Sequence, residues 1–195
     1  MTPAGYIAKR IESCPDWLNA ESVRDIYSVS GCVSEYFCDY IQHWKHNGYW
    51  LFDSPEHMEE VAKAESIDLS QHRLFYYEVY EKEFGEDSNV WESFEPERSF
   101  KMNIRVPREK KLEGYDVVCF TVRTSPECSP LSCNHLAETI PVNEHCLLSS
   151  LEEAVRLIER GAFNNSEPGP YRIFAVYSCD AASPETDTTR LNGGG

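Results

Sequence analysis

Residues 115–124, YDVVCFTVRT, decide how the rest of the chain is read. The stretch is apolar at nearly every position through its middle. That is the pattern of a central strand covered on both faces. Such a strand needs partners beside it and cover on either side, and the flanking sequence supplies both.

Downstream, Ser150 and Glu153 form a capping box for a helix over 151–160, which Gly161 closes. Residues 164–170, NNSEPGP, read as a turn-rich loop, and 171–179 as a last strand. Beyond Ala181 the chain is small and polar and ends in three glycines, so residues 181–195 are expected to form a disordered tail. The closing RLNGGG loosely resembles the end of ubiquitin-like modifiers, but the body carries no such pattern.

Upstream, Thr2 and Pro3 suit an N-cap and first helical turn, and Ile7, Ile11 and Cys14 share one helical face. A helix over about 3–13 is predicted. Val23 to Ser30 reads as a short strand. Val33, Phe37, Ile41 and Trp44 repeat at helical spacing before the stop Asn47-Gly48. Tyr49 to Phe52 reads as a strand, and Ser54-Pro55 opens a helix to about Glu65 with Met58, Val61 and Ala62 inward. Leu74 to Phe84 is a long aromatic strand, residues 85–97 are acidic and irregular, and Phe100 to Val106 alternates as a half-exposed strand.

These elements define an α/β or α+β protein: one domain over residues 1–180, with a mixed sheet and flanking helices. Two pseudo-repeated halves, about 22–97 and 115–179, are a further expectation. A shift of 96 aligns Cys32 with Cys128, Asn47 with Asn143, Leu51 with Leu147, Ser54 with Ser150 and Glu56 with Glu152. Two similar α/β patterns arising by chance is the competing explanation.

Composition excludes several functions. The chain has 195 residues and a net charge of −15, so a phosphate backbone or an anionic membrane would be repelled. No apolar run reaches a membrane span, the first residues lack a secretory h-region, and eight scattered cysteines are too sparse for a disulfide scaffold. The expectation is a cytoplasmic protein with free thiols. Phosphate-cradling glycine loops are absent.

The densest chemistry lies in residues 123–146, RTSPECSPLSCNHLAETIPVNEHC. Cys128, Cys133, His135, His145 and Cys146 are ligand types suited to zinc, although C-x4-C-x-H matches no common zinc motif and adjacent His145 and Cys146 aim poorly at one ion. The alternative chemistry is a thiolate nucleophile, Cys128 or Cys133, with His135 as base. The plainer reading is a turn followed by a capped helix, with the cysteines as small apolar packing groups.

The other candidate is the acidic aromatic segment 78–97. Its eight carboxylates face only Lys82, a net of −7, and they interleave with Trp91 and Phe94. Glu86, Asp87, Trp91, Glu92, Phe94 and Glu95 would bind a basic protein partner. The plainer reading is a solvated loop with both rings tucked into the core. The runs SPECSPLSCN, NEHCLL and EPGPYRIFAVYS are similar to bacterial proteins of unknown function over most of residues 25–179, a resemblance that implies no activity. The leading functional expectation is a non-enzymatic acidic interaction module: an inhibitor, an antitoxin-like protein or an adaptor. An acidic mimic of nucleic acid shares the same surface logic. A zinc- or thiol-dependent site at Cys128, Cys133 and His135, which includes the case of a cysteine-dependent enzyme, is the alternative.

Overall fold

Residues Thr2–Arg10 form a strand, not the helix expected over about 3–13. In the computed structural model, which describes residues 1–31, 33, 47–96, 101–120 and 128–179, Thr2–Arg10 is β1 and pairs with β4 (His72–Gly85). Gly5 sits at φ +131°, a value no α-helix admits, where a bulge shifts the register between Pro3 and Gly5. Residues Ala4 to Lys9 are all buried, so both faces of β1 are covered.

Two short strands follow, β2 (Glu12–Ser13) and β3 (Asp25–Ile26), paired with each other. Then come helix α1 (Pro55–Ala64), β4, β5 (Val90–Ser93), β6 (Lys111–Cys119), the short helix α2 (Pro130–Cys133), a 3-10 turn at Leu136–Glu138, α3 (Leu151–Glu159) and β7 (Tyr171–Ser178). The main sheet runs β1-β4-β7-β6, with β5 as a hairpin on the far end of β4. All these pairings are antiparallel. Of the two expected classes the chain is therefore α+β, and the described ladder is not mixed.

Strand β6 carries the decisive stretch. It is an end strand of the ladder rather than a central one, yet residues 116–120 are all buried. The cover comes from both sides: Val118 and Phe120 join one hydrophobic cluster with Phe174 and Val176, while Val117 and Cys119 join a second with Tyr171 and Ile173. Its outer edge is blocked by main-chain bonds from Tyr115 to Leu148 and from Cys119 to Cys128.

Other expectations are corrected. Of Val23–Ser30 only Asp25–Ile26 is strand, because side chains rather than a ladder satisfy the backbone of 28–30. Tyr49–Phe52 is a turn with Trp50 at φ 62°. The acidic segment folds into the β4–β5 hairpin. Residues 101–106 are not a strand; Asp53 holds them by accepting from Asn103 N at 2.8 Å and Arg105 N at 3.0 Å. The helix over 33–44 and the tail fall outside the described residues, apart from Val33.

Two corners flank the sheet and share one set of bonds. Asn47 Oδ1 accepts from the amides of Tyr49 (2.9 Å) and Leu51 (3.2 Å), and its Nδ2 donates to Ala4 O (2.8 Å). Asn143 Oδ1 accepts from His145 (2.9 Å) and Leu147 (3.1 Å), and its Nδ2 donates to Glu113 O (2.7 Å). Trp50 and Cys146, one residue further on than Tyr49 and His145, both have φ 62°. Ser54 and Ser150 then cap α1 and α3 through the amides of His57 (3.2 Å) and Glu153 (3.1 Å). The return arm of the expected capping box runs from Glu153 to Ser149, whose hydroxyl donates at 2.6 Å.

Each corner presses on a glycine. A Cβ on Gly5 would lie 2.6 Å from Phe52 O, and one on Gly114, at φ +151°, 2.7 Å from Leu147 Cβ and 2.8 Å from Leu148 O. Gly114→Ala is expected to lower the free energy of unfolding by ~2–3 kcal/mol, combining left-handed strain with a backbone clash. Urea denaturation measures it, and a loss below ~0.5 kcal/mol, the range of a neutral surface change, would contradict the close approach.

Candidate functional site

The Cys/His segment divides among three environments. Cys128 is buried, and its Sγ donates to Asn134 Oδ1 at 3.3 Å. Cys133, half-buried at the end of α2, has its Sγ 3.8 Å from both Ser30 Oγ and Ser132 Oγ. His135 points outward at φ 61°, with its ring 4.8 Å from Trp17 and its Nδ1 3.2 Å from Glu138.

His145 and Cys146 part company at the Asn143 corner. The His145 ring stacks on Tyr27 (3.9 Å, 6° between planes), and its Nδ1 donates to Asp25 Oδ1. Its Nε2 lies 3.8 Å from Glu113 and 3.7 Å from Glu144. With the bonds from Arg24 N and Asp25 N to Glu144 O and from Tyr27 N to His145 O, this fastens residues 24–27 to the corner. Burial opposes ionisation of Glu113, yet bonds from Ser178 and Lys111 and the nearby His145 hold its carboxyl below its ordinary value. Cys146 instead enters the second hydrophobic cluster, where burial first, then Asp116, Cys14 and Cys133, raise its thiol far above the usual range. Among the described residues, no group of three His, Cys, Asp or Glu side chains is placed to hold a metal ion.

Sequence reasoning missed the most heavily buried polar group. Lys9 of β1 and Asp116 of β6 are both 0% exposed. Lys9 Nζ donates to Ser28 O and, at 2.7 Å, to Ser30 O. Asp116 Oδ2 accepts from Val29 N at 2.7 Å and from Ser129 Oγ at 2.7 Å. Ser129 Oγ in turn accepts from Ser30 N at 3.4 Å. Segment 28–30 is thus gripped by side chains from both outer strands of the main ladder. Among the described residues, Asp116 Oδ1 has no hydrogen-bond partner, and neither does the buried hydroxyl of Tyr77. Burial is the largest influence on Asp116 and pushes its carboxyl up to about 7, against the bonds from Ser129 and Val29 and the charge of Lys9. The signal was present in the sequence: one acid inside YDVVCFTV and one lysine inside the apolar start of the chain, each of which must find a partner once buried.

The acidic segment also takes a definite form. Glu83 and Glu92 stand directly opposite each other on the hairpin, and Arg172 holds Glu83 at 2.9 Å. Glu86 accepts from Gly169 N at 2.9 Å. Trp91 donates from Nε1 to Glu159 at 3.0 Å and meets Phe84 and Tyr80 edge-on, and the Phe94 ring lies 3.6 Å from the Arg172 guanidinium. Glu81, Asp87, Glu92 and Glu95 are exposed. Compared with protein-family models, with curated proteins and with solved structures, the chain matches none.

An alkylation time course on native protein, read by mass spectrometry, is expected to label the half-buried Cys14, Cys133 and Cys179 ahead of the buried Cys119, Cys128 and Cys146. Leading reactivity at Cys128 or Cys146 would contradict this arrangement.

Proposed function

We propose that this chain is a non-enzymatic acidic interaction module, acting as an inhibitor, an antitoxin-like protein or an adaptor, and that it binds a basic protein partner through the β4–β5 hairpin. The observation behind this reading is the directly opposed pair Glu83 and Glu92. Like charges in that position destabilise a hairpin. Arg172 compensates Glu83 from within the fold, while Glu92 stays exposed beside Glu81, Asp87 and Glu95. Val90, 49% exposed, adds an apolar contact at the hairpin end. A cationic partner would relieve the repulsion at Glu92. Trp91 and Phe94, engaged within the chain, stiffen the hairpin more than they offer anchors.

A reducing, cytoplasmic setting belongs to the same reading: none of the six cysteines among the described residues is in a disulfide. No helix of the described residues is long and apolar enough to cross a membrane. The matching bonds at Asn47 and Asn143 support a duplicated unit as the origin of the two corners. A thiol-dependent site is the second reading, favoured by the place of Cys133 beside the buried Ser30 hydroxyl.

The test uses a lysine-rich peptide as probe. Its association rate is expected to fall steeply between low and physiological salt, and by about tenfold in a Glu81→Gln, Asp87→Asn, Glu92→Gln variant at low salt. Binding indifferent to both salt and these substitutions would rule out the hairpin as the contact.

A further inference from the structure

The surroundings of Asp116 contain few groups able to balance a charge. From β1 comes Lys9, already donating to two carbonyls of segment 28–30. From β4 comes the buried Tyr77 hydroxyl, itself raised by burial and then by Asp116. From the α2 region come Ser129, whose hydroxyl donates to Oδ2, and Cys133, whose thiol side works against ionisation; Cys146 faces the same region from the corner. Segment 28–30 offers only the Val29 amide, and Oδ1 receives nothing. Oδ1 lies buried without a partner in either protonation state, and an unpaired charge costs more to bury than an unpaired hydroxyl, so the neutral carboxyl is the cheaper form here although both bonds to Oδ2 suit the ionised one.

We propose that Asp116 is a proton-operated latch on segment 28–30: the protonated carboxyl keeps the segment docked between β1 and β6, and loss of that proton lets the segment open more often. Burial pushes the docked carboxyl up to about 7, well above the ordinary range of an exposed aspartate. A carboxyl raised in this way contributes docking stability that is complete below its exposed value. That contribution is lost as pH rises towards the docked value, and it is level above it. Between the two, the opening equilibrium should rise about tenfold per pH unit, with one proton released to solvent at each opening. Acidification therefore tightens the latch, and neutral or alkaline pH loosens it. Opening would uncover Cys133, which the docked Ser30 hydroxyl touches at 3.8 Å.

Two measurements on the full chain decide the matter. Carbon-13 NMR of the Asp116 carboxyl is expected to show a transition near neutral pH. Amide hydrogen exchange at Val29, corrected for intrinsic chemistry, is expected to show an opening constant about tenfold larger at pH 6.5 than at pH 5.5 and level above about pH 7. The amide of Val176 in β7 should not follow it. Asp116→Asn, which keeps an acceptor for Val29 and Ser129, should abolish the pH dependence; if that variant fails to fold, the contrast between Val29 and Val176 in the unmodified protein decides. A carboxyl signal flat from pH 5 to 8.5, a Val29 opening constant independent of pH, or a rise shared equally by Val176 would each overturn the latch.

Discussion

Lys9 and Asp116 reach segment 28–30 from the two outer strands of the main ladder, and this grip organises the fold around them. The segment has no strand partner of its own over Ser28–Ser30, so its carbonyls and amides must find donors and acceptors elsewhere. Lys9 supplies the donor for two carbonyls, Asp116 the acceptor for Val29 N, and Ser129 the acceptor for Ser30 N. Each of these side chains is expensive to bury alone, and each is tolerated because the segment supplies its hydrogen-bond partners. Both outer strands thus reach the same three residues.

The corners act on the same two strands. Asn47 and Asn143 each tie a tight turn to an outer strand through a glycine that leaves no room for a side chain. Both turns present main-chain groups to the strand edge, so the described parts of β1 and β6 are not left as open edges for further pairing. The second corner also carries the Tyr27–His145–Asp25 stack, which fastens residues 24–27 just before the gripped segment begins. Corner and grip act on consecutive stretches of one chain, so they support each other.

Much of this was legible in sequence, and the failures have physical causes. The helices at 55–64 and 151–159 followed from Ser caps and helical spacing. The long aromatic strand and the last strand followed from β-rich composition. The start of the chain departs from the expected helix because Thr2-Pro3 imitates a helix cap, while Gly5 and the pairing with β4, Gly5 opposite Tyr77, decide for strand. The acidic segment was misread as irregular because hairpin pairing overrides a sequence rich in carboxylates. At the candidate site, proximity in sequence misled: His135 turns outward, and His145 and Cys146 face different environments. Lys9 and Asp116 lie 107 positions apart, and no local pattern joins them.

The central claim is that Lys9 and Asp116 act as one unit through the segment they share. A double-mutant cycle in urea, with Lys9→Met, Asp116→Leu and the pair together, tests it most directly. The account predicts strong coupling: either single change undocks segment 28–30 and destabilises by ~3 kcal/mol or more, so the second change removes little further and the double change costs well under the sum, leaving a coupling of ~2 kcal/mol or more. Additive effects, within ~0.5 kcal/mol, would contradict it and leave the two residues as independent buried polar groups.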